Sequence, residues 1–354
     1  MGKRYILPAR TNPHRSDVNQ TRGRPSSYRT RTGTNRPDTP CTCHFRTAIG
    51  IPGQGQQNLA DIANAIADFE PASMLVRSTD TELARSLMPS SSIDFVTTDM
   101  DDFWMRDTGP VFVQNGVKQA GVDLNFNGWG EKQEYRDDAQ VAQFTAERAG
   151  VELITTDLIL EGGAIEVDGE GTAIITESCV LNDNRNPGRT KAEVEQELDR
   201  LLGIKKVIWL PGIVGKDITD GHTDFYARFT SPGVVVASLD NDPQSYDYAV
   251  TRRHLEILRT ATDVQGRELQ VEVLEAPSVT RAGYEEEFAA GYINFYVCNG
   301  AVIAPEFGDS EADSAARTTL EKLLPERQII QISINGVAAG GGGIQCATQQ
   351  EPAL

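Results

Sequence analysis

The segment Val111-Phe-Val-Gln-Asn115-Gly116-Val-Lys-Gln-Ala-Gly-Val122 decides how this chain folds. Two short apolar arms flank an Asn-Gly pair, and Asn and Gly tolerate the positive φ that a tight hairpin demands. Working outward, Ile93–Thr97 reads as a strand, a polar stretch separates it from the hairpin, and a helix over roughly 135–149 follows. The same succession then recurs. Strands at Val151–Thr155, Val207–Leu210 and Gln270–Leu274 lead through polar, often glycine-rich segments into further hairpins. Their turns are Asp168-Gly169-Glu170-Gly171, Ser231-Pro232-Gly233 and Asn299-Gly300, and helices follow near 190–202, 244–260 and 309–323. A period of roughly 50 to 70 residues between hairpins is that of a blade-like repeat.

A fifth strand, Gln328–Ile334, runs into Gly340–Gly343 and Cys346 close to the end of the chain. Its partners must come from the chain's beginning, which closes a ring. There a helix starts at Gln57, with Leu59, Ile62, Ala63, Ile66 and Phe69 at helical spacing. The strand Ser73–Arg77 and a second helix at about 79–87 come next. The expected fold is α/β, one domain over 47–354 of five pseudo-symmetric strand-hairpin-helix units, and not a doubly wound sheet. Residues 1–46, rich in Arg, Thr, Pro, Asn and Ser without an apolar period, read as a disordered basic tail.

Charge divides the chain at the same boundary. Residues 1–46 hold ten Lys or Arg against two Asp, so a net charge of -18 overall leaves -26 in the body. An acidic body argues against a nucleic-acid partner, which needs a basic face, and suits the steering of a small cation. No apolar run approaches a membrane span, the start is too short for a secretory core, and Ile6 stands where a myristoylation signal needs Ser or Thr. A cytoplasmic protein is expected, and a homo-oligomer is compatible with the chain.

Five cysteines without framework spacing do not make a disulfide scaffold. Cys41-Thr-Cys43-His44 is a weak metal clip, lacking a second ligand pair. Cys179 and Cys298 lie in apolar sequence and read as buried inert thiols; His254, among Arg252 and Arg253 on a helix, reads as a surface residue. Cys346 differs, because four glycines precede it, and such a run is useless to a strand but serves a backbone that turns sharply or approaches a ligand closely.

In a closed ring, equivalent positions of successive units face one axis. Unusual polar residues occupy the position between strand and hairpin: Arg106 and Asp107, then Glu161, then His222 and Asp224, and finally Cys346. A guanidinium is planar, cationic and forked, so paired carboxylates and an aromatic face recognise it. Asp107 and Asp224 offer the first and Trp104 the second. Arg106 serves equally as a structural partner of an acidic neighbour such as Glu161.

Trp104-Met-Arg-Asp107-Thr-Gly-Pro110, Glu161-Gly-Gly163, Gly221-His222-Thr-Asp224 and Gly341-Gly-Gly-Ile-Gln-Cys346-Ala-Thr-Gln-Gln350 together resemble the motif set of agmatine deiminases and bacterial (Porphyromonas-type) peptidylarginine deiminases. The resemblance runs from about 57 to 352. It implies the five-bladed α/β-propeller (pentein) of the guanidino-group-modifying enzymes, with no metal and no organic cofactor. It further implies Cys346 as nucleophile, His222 as acid/base and Asp107 and Asp224 as guanidinium carboxylates, with Glu161 near the site. The family's aromatic-rich opening strand, with its Pro-Glu-Trp and Trp-Pro elements, is missing from residues 1–56, and Gln345 stands where His commonly precedes the nucleophile.

The reaction so implied is hydrolysis of a small guanidino cation. The thiolate attacks the guanidinium carbon, ammonia leaves, and water resolves the thiouronium. Agmatine, yielding N-carbamoylputrescine on the way to putrescine, fits best because no Arg is reserved for a substrate carboxylate. Arginine residues in peptides, giving citrulline, are the alternative. Amidino transfer and an inactive guanidino binder remain open, whereas a Cys-His protease leaves two carboxylates and the repeat unexplained.

Overall fold

Around Asn115-Gly116, Val111–Gln114 and Gln119–Asp123 pair antiparallel with Val113 opposite Ala120, as the turn residues require. In the computed structural model, which describes residues 29–30, 41–47, 54–278 and 288–353, four more such sheets follow. The first four each join an antiparallel hairpin to a parallel strand delivered by a helix. Gln119–Asp123 pairs with Glu152–Thr155 across the helix Val141–Ala149. Thr172–Thr176 pairs with Lys206–Leu210 across Lys191–Leu202, and Val234–Leu239 with Gln270–Glu275 across Asp247–Thr260. Ala301–Glu306 pairs with Gln328–Ser333 across Ser310–Leu323.

The repeat is therefore cut one strand later than the sequence suggests. The strand that opens each predicted unit completes the preceding sheet, because a parallel partner needs a helical crossover while a hairpin needs only a turn. Local chemistry fixes the helix ends. Thr190 and Glu193 form a reciprocal capping box at the start of Lys191–Leu202, and Gly203 (φ 71°) ends that helix in the left-handed region.

The fifth sheet closes the ring from both ends of the sequence. Thr348–Pro352 runs antiparallel to Cys41–Thr47, which runs parallel to Ala72–Val76, itself parallel to Ile93–Thr97. This corrects the tail reading at 41–46: that stretch is a strand held by ladders on both sides. Arg29–Thr30 adds two residues to the first sheet, opposite Val113 and Gln114. The polarity that suggested disorder is overridden by backbone pairing to neighbours far away in sequence, which no local pattern reports. The rest of 1–46 lies outside the described residues. The Cys41-x-Cys43-His44 clip is not seen as such, since His44 Nε2 lies 2.7 Å from Glu351 Oε2 on the paired strand and Cys41's side chain is outside the described set.

Consecutive blades are tied where their polar segments meet. Leu160 N donates to Leu124 O, Thr223 Oγ1 to Ala164 O, Gln345 N to Asn294 O, and Arg106 N to Cys346 O. Five small sheets thus surround a shared centre, each turning one apolar helix stripe outward onto its own strands. His254 corrects the surface reading: it is 1% exposed, its Nε2 accepts from Gly212 N, and Tyr226 meets it edge-on at 4.6 Å. Its neighbours on the helix, half-buried Arg252 and exposed Arg253, turn away from it because successive helical residues are rotated by about 100°. Among the described residues no helix is long and apolar enough to cross a membrane.

Candidate active site

Five short turns, one per blade, carry polar side chains to the centre. Asp107 lies on the turn Met105–Thr108, Glu161 precedes the turn Gly162–Ala164, and His222 opens the turn Thr223–Phe225 that holds Asp224. Cys346 follows the glycine run, and Asn294 precedes the strand Tyr296–Cys298 in the fourth blade. All are buried.

The Cys346 thiol donates to Asp224 Oδ2 at 3.5 Å and accepts from Asn294 Nδ2 at 3.2 Å. Asn294 Oδ1 also accepts from Gln345 N at 2.8 Å and Cys346 N at 3.3 Å, so one amide grips both the backbone and the sulfur of the cysteine. Asp107 accepts from Trp129 Nε1 at 2.9 Å and from Gly163 N at 3.0 Å. His222 Nδ1 is 3.8 Å from Asp107 Oδ2, and its Nε2 is 3.5 Å from Glu161 Oε2. Asp224 Oδ1 is buried with no hydrogen-bond partner, an expensive state for a carboxylate that a donor ligand would relieve.

Electrostatics follow from this burial. Desolvation, with Asp224 and Asp107 adding to it, holds the Cys346 thiol well above its ordinary value. Desolvation pushes Asp224 up to about 6 and raises Asp107, against the opposing charge of His222. Burial alone would lower His222, yet the Asp107 carboxylate, helped by Cys179 and Glu161, raises it well above 6.5. Burial would also raise Glu161, but Arg185 and His222 bring it below the usual carboxylate range. In the substrate-free site burial thus favours the neutral thiol of Cys346, while the neighbouring acids favour the charged form of His222.

The glycines have a specific steric reason. A Cβ on Gly342 would sit 2.3 Å from the Trp104 ring, and one on Gly343 would sit 2.4 Å from Asn294 Oδ1. A Cβ on Gly163 would intrude on His222 Nδ1 at 2.7 Å and Asp107 Oδ1 at 2.9 Å. The run lets protein side chains, not just a ligand, approach the backbone beside Cys346. Trp104 packs here, its ring centroid 4.0 Å from that of Phe103 with the planes tilted by 35°, and beneath Gly342.

The profile of the Porphyromonas-type peptidyl-arginine deiminase family matches residues 50–352. The chain belongs to this family. It is 37% identical over 316 residues to an agmatine deiminase of Ectopseudomonas mendocina, spanning 82% of this chain and 86% of that one. It is 36% identical over 328 residues to an agmatine deiminase of Pseudomonas aeruginosa, spanning 86% and 88%. The solved agmatine deiminase of Enterococcus faecalis aligns with a TM-score of 0.84 at 30% identity, over 95% of this chain and 99% of that one. The fold is accordingly the five-bladed α/β-propeller.

This deiminase-family member uses residues that sequence reasoning passed over. Asn294 occupies the fourth blade's equivalent position, so the repeat itself pointed to it. Trp129 gave no such signal: it lies at φ 54°, between Gly128 and Gly130, in a conformation rare for a large side chain and held here by its bond to Asp107. Arg185, fully buried, donates through Nε to both oxygens of Glu161 at 2.8 and 3.0 Å, and through Nη1 to Asp220 at 2.9 Å. Arg106 therefore does not pair with Glu161. It donates to the side chains of Gln349 (2.6 Å) and Gln350 (2.7 Å), clamping the strand that follows Cys346. Cys179 lies on a helical turn, Glu177–Val180, not in a strand, and its Sγ is 3.5 Å from Glu161 Oε2, where burial pushes the thiol up to about 11. Cys298, in a strand, donates to Ala301 O.

Proposed function

We propose that this chain is an agmatine deiminase, hydrolysing agmatine to N-carbamoylputrescine and ammonia through a covalent Cys346 intermediate. The observation that carries the reading is a buried thiol bonded to one carboxylate oxygen of Asp224 whose sister oxygen has no partner, with Asp107 held nearby. A planar cation with paired N–H donors satisfies that arrangement, and its charge offsets the two carboxylates that hold the thiol protonated. Substrate entry thereby activates its own nucleophile.

As the cation binds, the thiol proton leaves to solvent; Cys346 Sγ then attacks the guanidinium carbon, and the tetrahedral adduct expels ammonia, protonated from His222 Nδ1. The neutral imidazole next takes a proton from water as the hydroxyl adds to the thiouronium carbon. Collapse restores the thiol and releases the ureido product. Asp107 and Asp224 hold the carbon in line with sulfur throughout, and Glu161 with Arg185 fixes the far edge of the imidazole. Trp104, packed under Gly342, supports the glycine run and through it the position of Cys346. The reaction needs no metal or organic cofactor. On this reading the protein works in the cytoplasm, on a route to putrescine, with a small cation and not nucleic acid as its partner.

Purified protein should release ammonia from agmatine, and Cys346→Ala should abolish the release while leaving the unfolding transition intact. The family's own description names peptidyl-arginine, which is the second reading. Ammonia from arginine peptides with none from agmatine would move the assignment there; agmatine binding without turnover in the unmodified chain would make it a binder.

A further inference from the structure

Behind the imidazole of His222, on the side away from Asp107, Glu161 is joined by Cys179, a buried thiol that the proposed reaction does not use. Cys179 Sγ lies 3.5 Å from Glu161 Oε2, and His222 Nε2 lies 3.5 Å from the same oxygen. One ligand atom from each of the three residues lies within 4.8 Å of the others, and all three side chains are buried. Among the described residues His222 Nε2 has no partner in hydrogen-bonding geometry, its near neighbour being the Glu161 oxygen 3.5 Å away, so the buried nitrogen faces the cluster without a well-formed bond.

We propose that Glu161, Cys179 and His222 bind a zinc-class divalent ion and that this ion switches the enzyme off. Bonds of about 2.0 Å to oxygen, 2.1 Å to nitrogen and 2.3 Å to sulfur, at tetrahedral angles, set ligand-to-ligand edges of roughly 3.3 to 3.6 Å. The two 3.5 Å distances on the page already match. Thiolate, imidazole and carboxylate are the donor set that suits zinc and not magnesium or calcium. Three protein ligands leave the fourth position to water. Arg185 holds both oxygens of Glu161 and so fixes the carboxylate, as outer partners of metal ligands do.

Binding releases two protons, one from the Cys179 thiol and one from His222 Nε2, and thiolate plus carboxylate then offset the two charges of the ion. The inhibitory sense rests on the proposed deiminase reaction. With the metal on Nε2, the imidazole keeps its proton on Nδ1 and can release it only as an imidazolate. It can then neither protonate departing ammonia nor accept a proton from water.

The test separates this site from the catalytic thiol and from the deiminase reading. Cobalt(II) is titrated into the Cys346→Ser chain, which lacks the other nearby sulfur, and the near-ultraviolet thiolate-to-cobalt band is recorded. The band should appear and be displaced by zinc. In Cys179→Ala it should vanish, with zinc affinity falling roughly ten- to a hundredfold, the scale of losing a metal-site contact. Ammonia release by the unmodified chain should be inhibited by micromolar zinc and unaffected by magnesium, and Cys179→Ala should retain activity while escaping inhibition. No band in Cys346→Ser, a band surviving in Cys179→Ala, or equal inhibition by magnesium would each overturn the proposal. Should no guanidine release ammonia, the catalytic reading fails, whereas the spectrum still decides the metal site.

Discussion

Asp224→Asn should push two measurements in opposite directions. The change keeps the side chain's shape and removes its charge. With substrate, the site loses a charge-assisted hydrogen bond to the guanidinium, worth about 3 kcal/mol, or roughly a hundredfold in kcat/KM. Without substrate, the thiolate loses its nearest repulsion. At the 3.5 Å separation of Sγ and Oδ2, two unit charges repel by about 5 kcal/mol at an effective dielectric of ~20. Relief of even a third of that favours the thiolate by about tenfold. The assay pairs ammonia release from agmatine with iodoacetamide labelling of Cys346 at pH 8 in the absence of substrate. Deimination should fall while alkylation accelerates at least several-fold. Slower or unchanged alkylation would refute the claim that Asp224 holds the resting thiol protonated, and with it activation by the incoming cation.

Other perturbations test the scaffold. Gly342→Ala drives a Cβ to 2.3 Å from the Trp104 ring, so the glycine run must shift; thermal unfolding and kcat should both drop, and a variant with wild-type values would contradict the packing account. His254, held at about 4 by burial, is neutral in the folded protein while the unfolded chain titrates near 6.5. The unfolded state binds the extra proton between those values, so the stability His254 contributes is present above pH 6.5 and is lost on acidification toward pH 4, by about 3 kcal/mol in all. Urea unfolding of His254→Leu should show a shallower acid limb over that window, and an unchanged limb would count against a neutral buried imidazole. Arg185→Met leaves buried Glu161 with only His222, and Asp220 with only Lys132, as charged partner, and should destabilise the fold by about 3 kcal/mol in denaturant melts. A loss below roughly 1 kcal/mol would mean water reaches these carboxylates.

Much of the fold was legible because hairpins are local. Asn115-Gly116 and its three counterparts declare their own geometry through residues that accept positive φ, and the helices declare themselves through apolar spacing. Ring closure was expected of the wrong strand: Gln328–Ser333 pairs with Ala301–Glu306, and Thr348–Pro352 makes the join to Cys41–Thr47. The grouping of Asp107, Glu161, His222, Asp224 and Cys346 could be expected from equivalent places in the repeat, but the rule was not carried to the fourth unit, where it leads to Asn294. Legibility ended where an environment is assembled from distant segments. Cys41–Thr47 is a strand only because ladders from 348–352 and 72–76 flank it. His254 is buried only because Gly212 and Tyr226 arrive from other elements.

The sequence by itself determined which chemical groups are present and that five blades would bring them to one centre, because hairpin, helix and period are written in neighbouring residues. Only the tertiary structure decided how each group is charged and which atoms remain unpaired. Trp129 on Asp107, Arg185 on Glu161, Arg106 on the strand after Cys346 and Cys179 behind His222 are contacts across tens to hundreds of residues. Burial and such contacts set protonation, and protonation sets what the site can do.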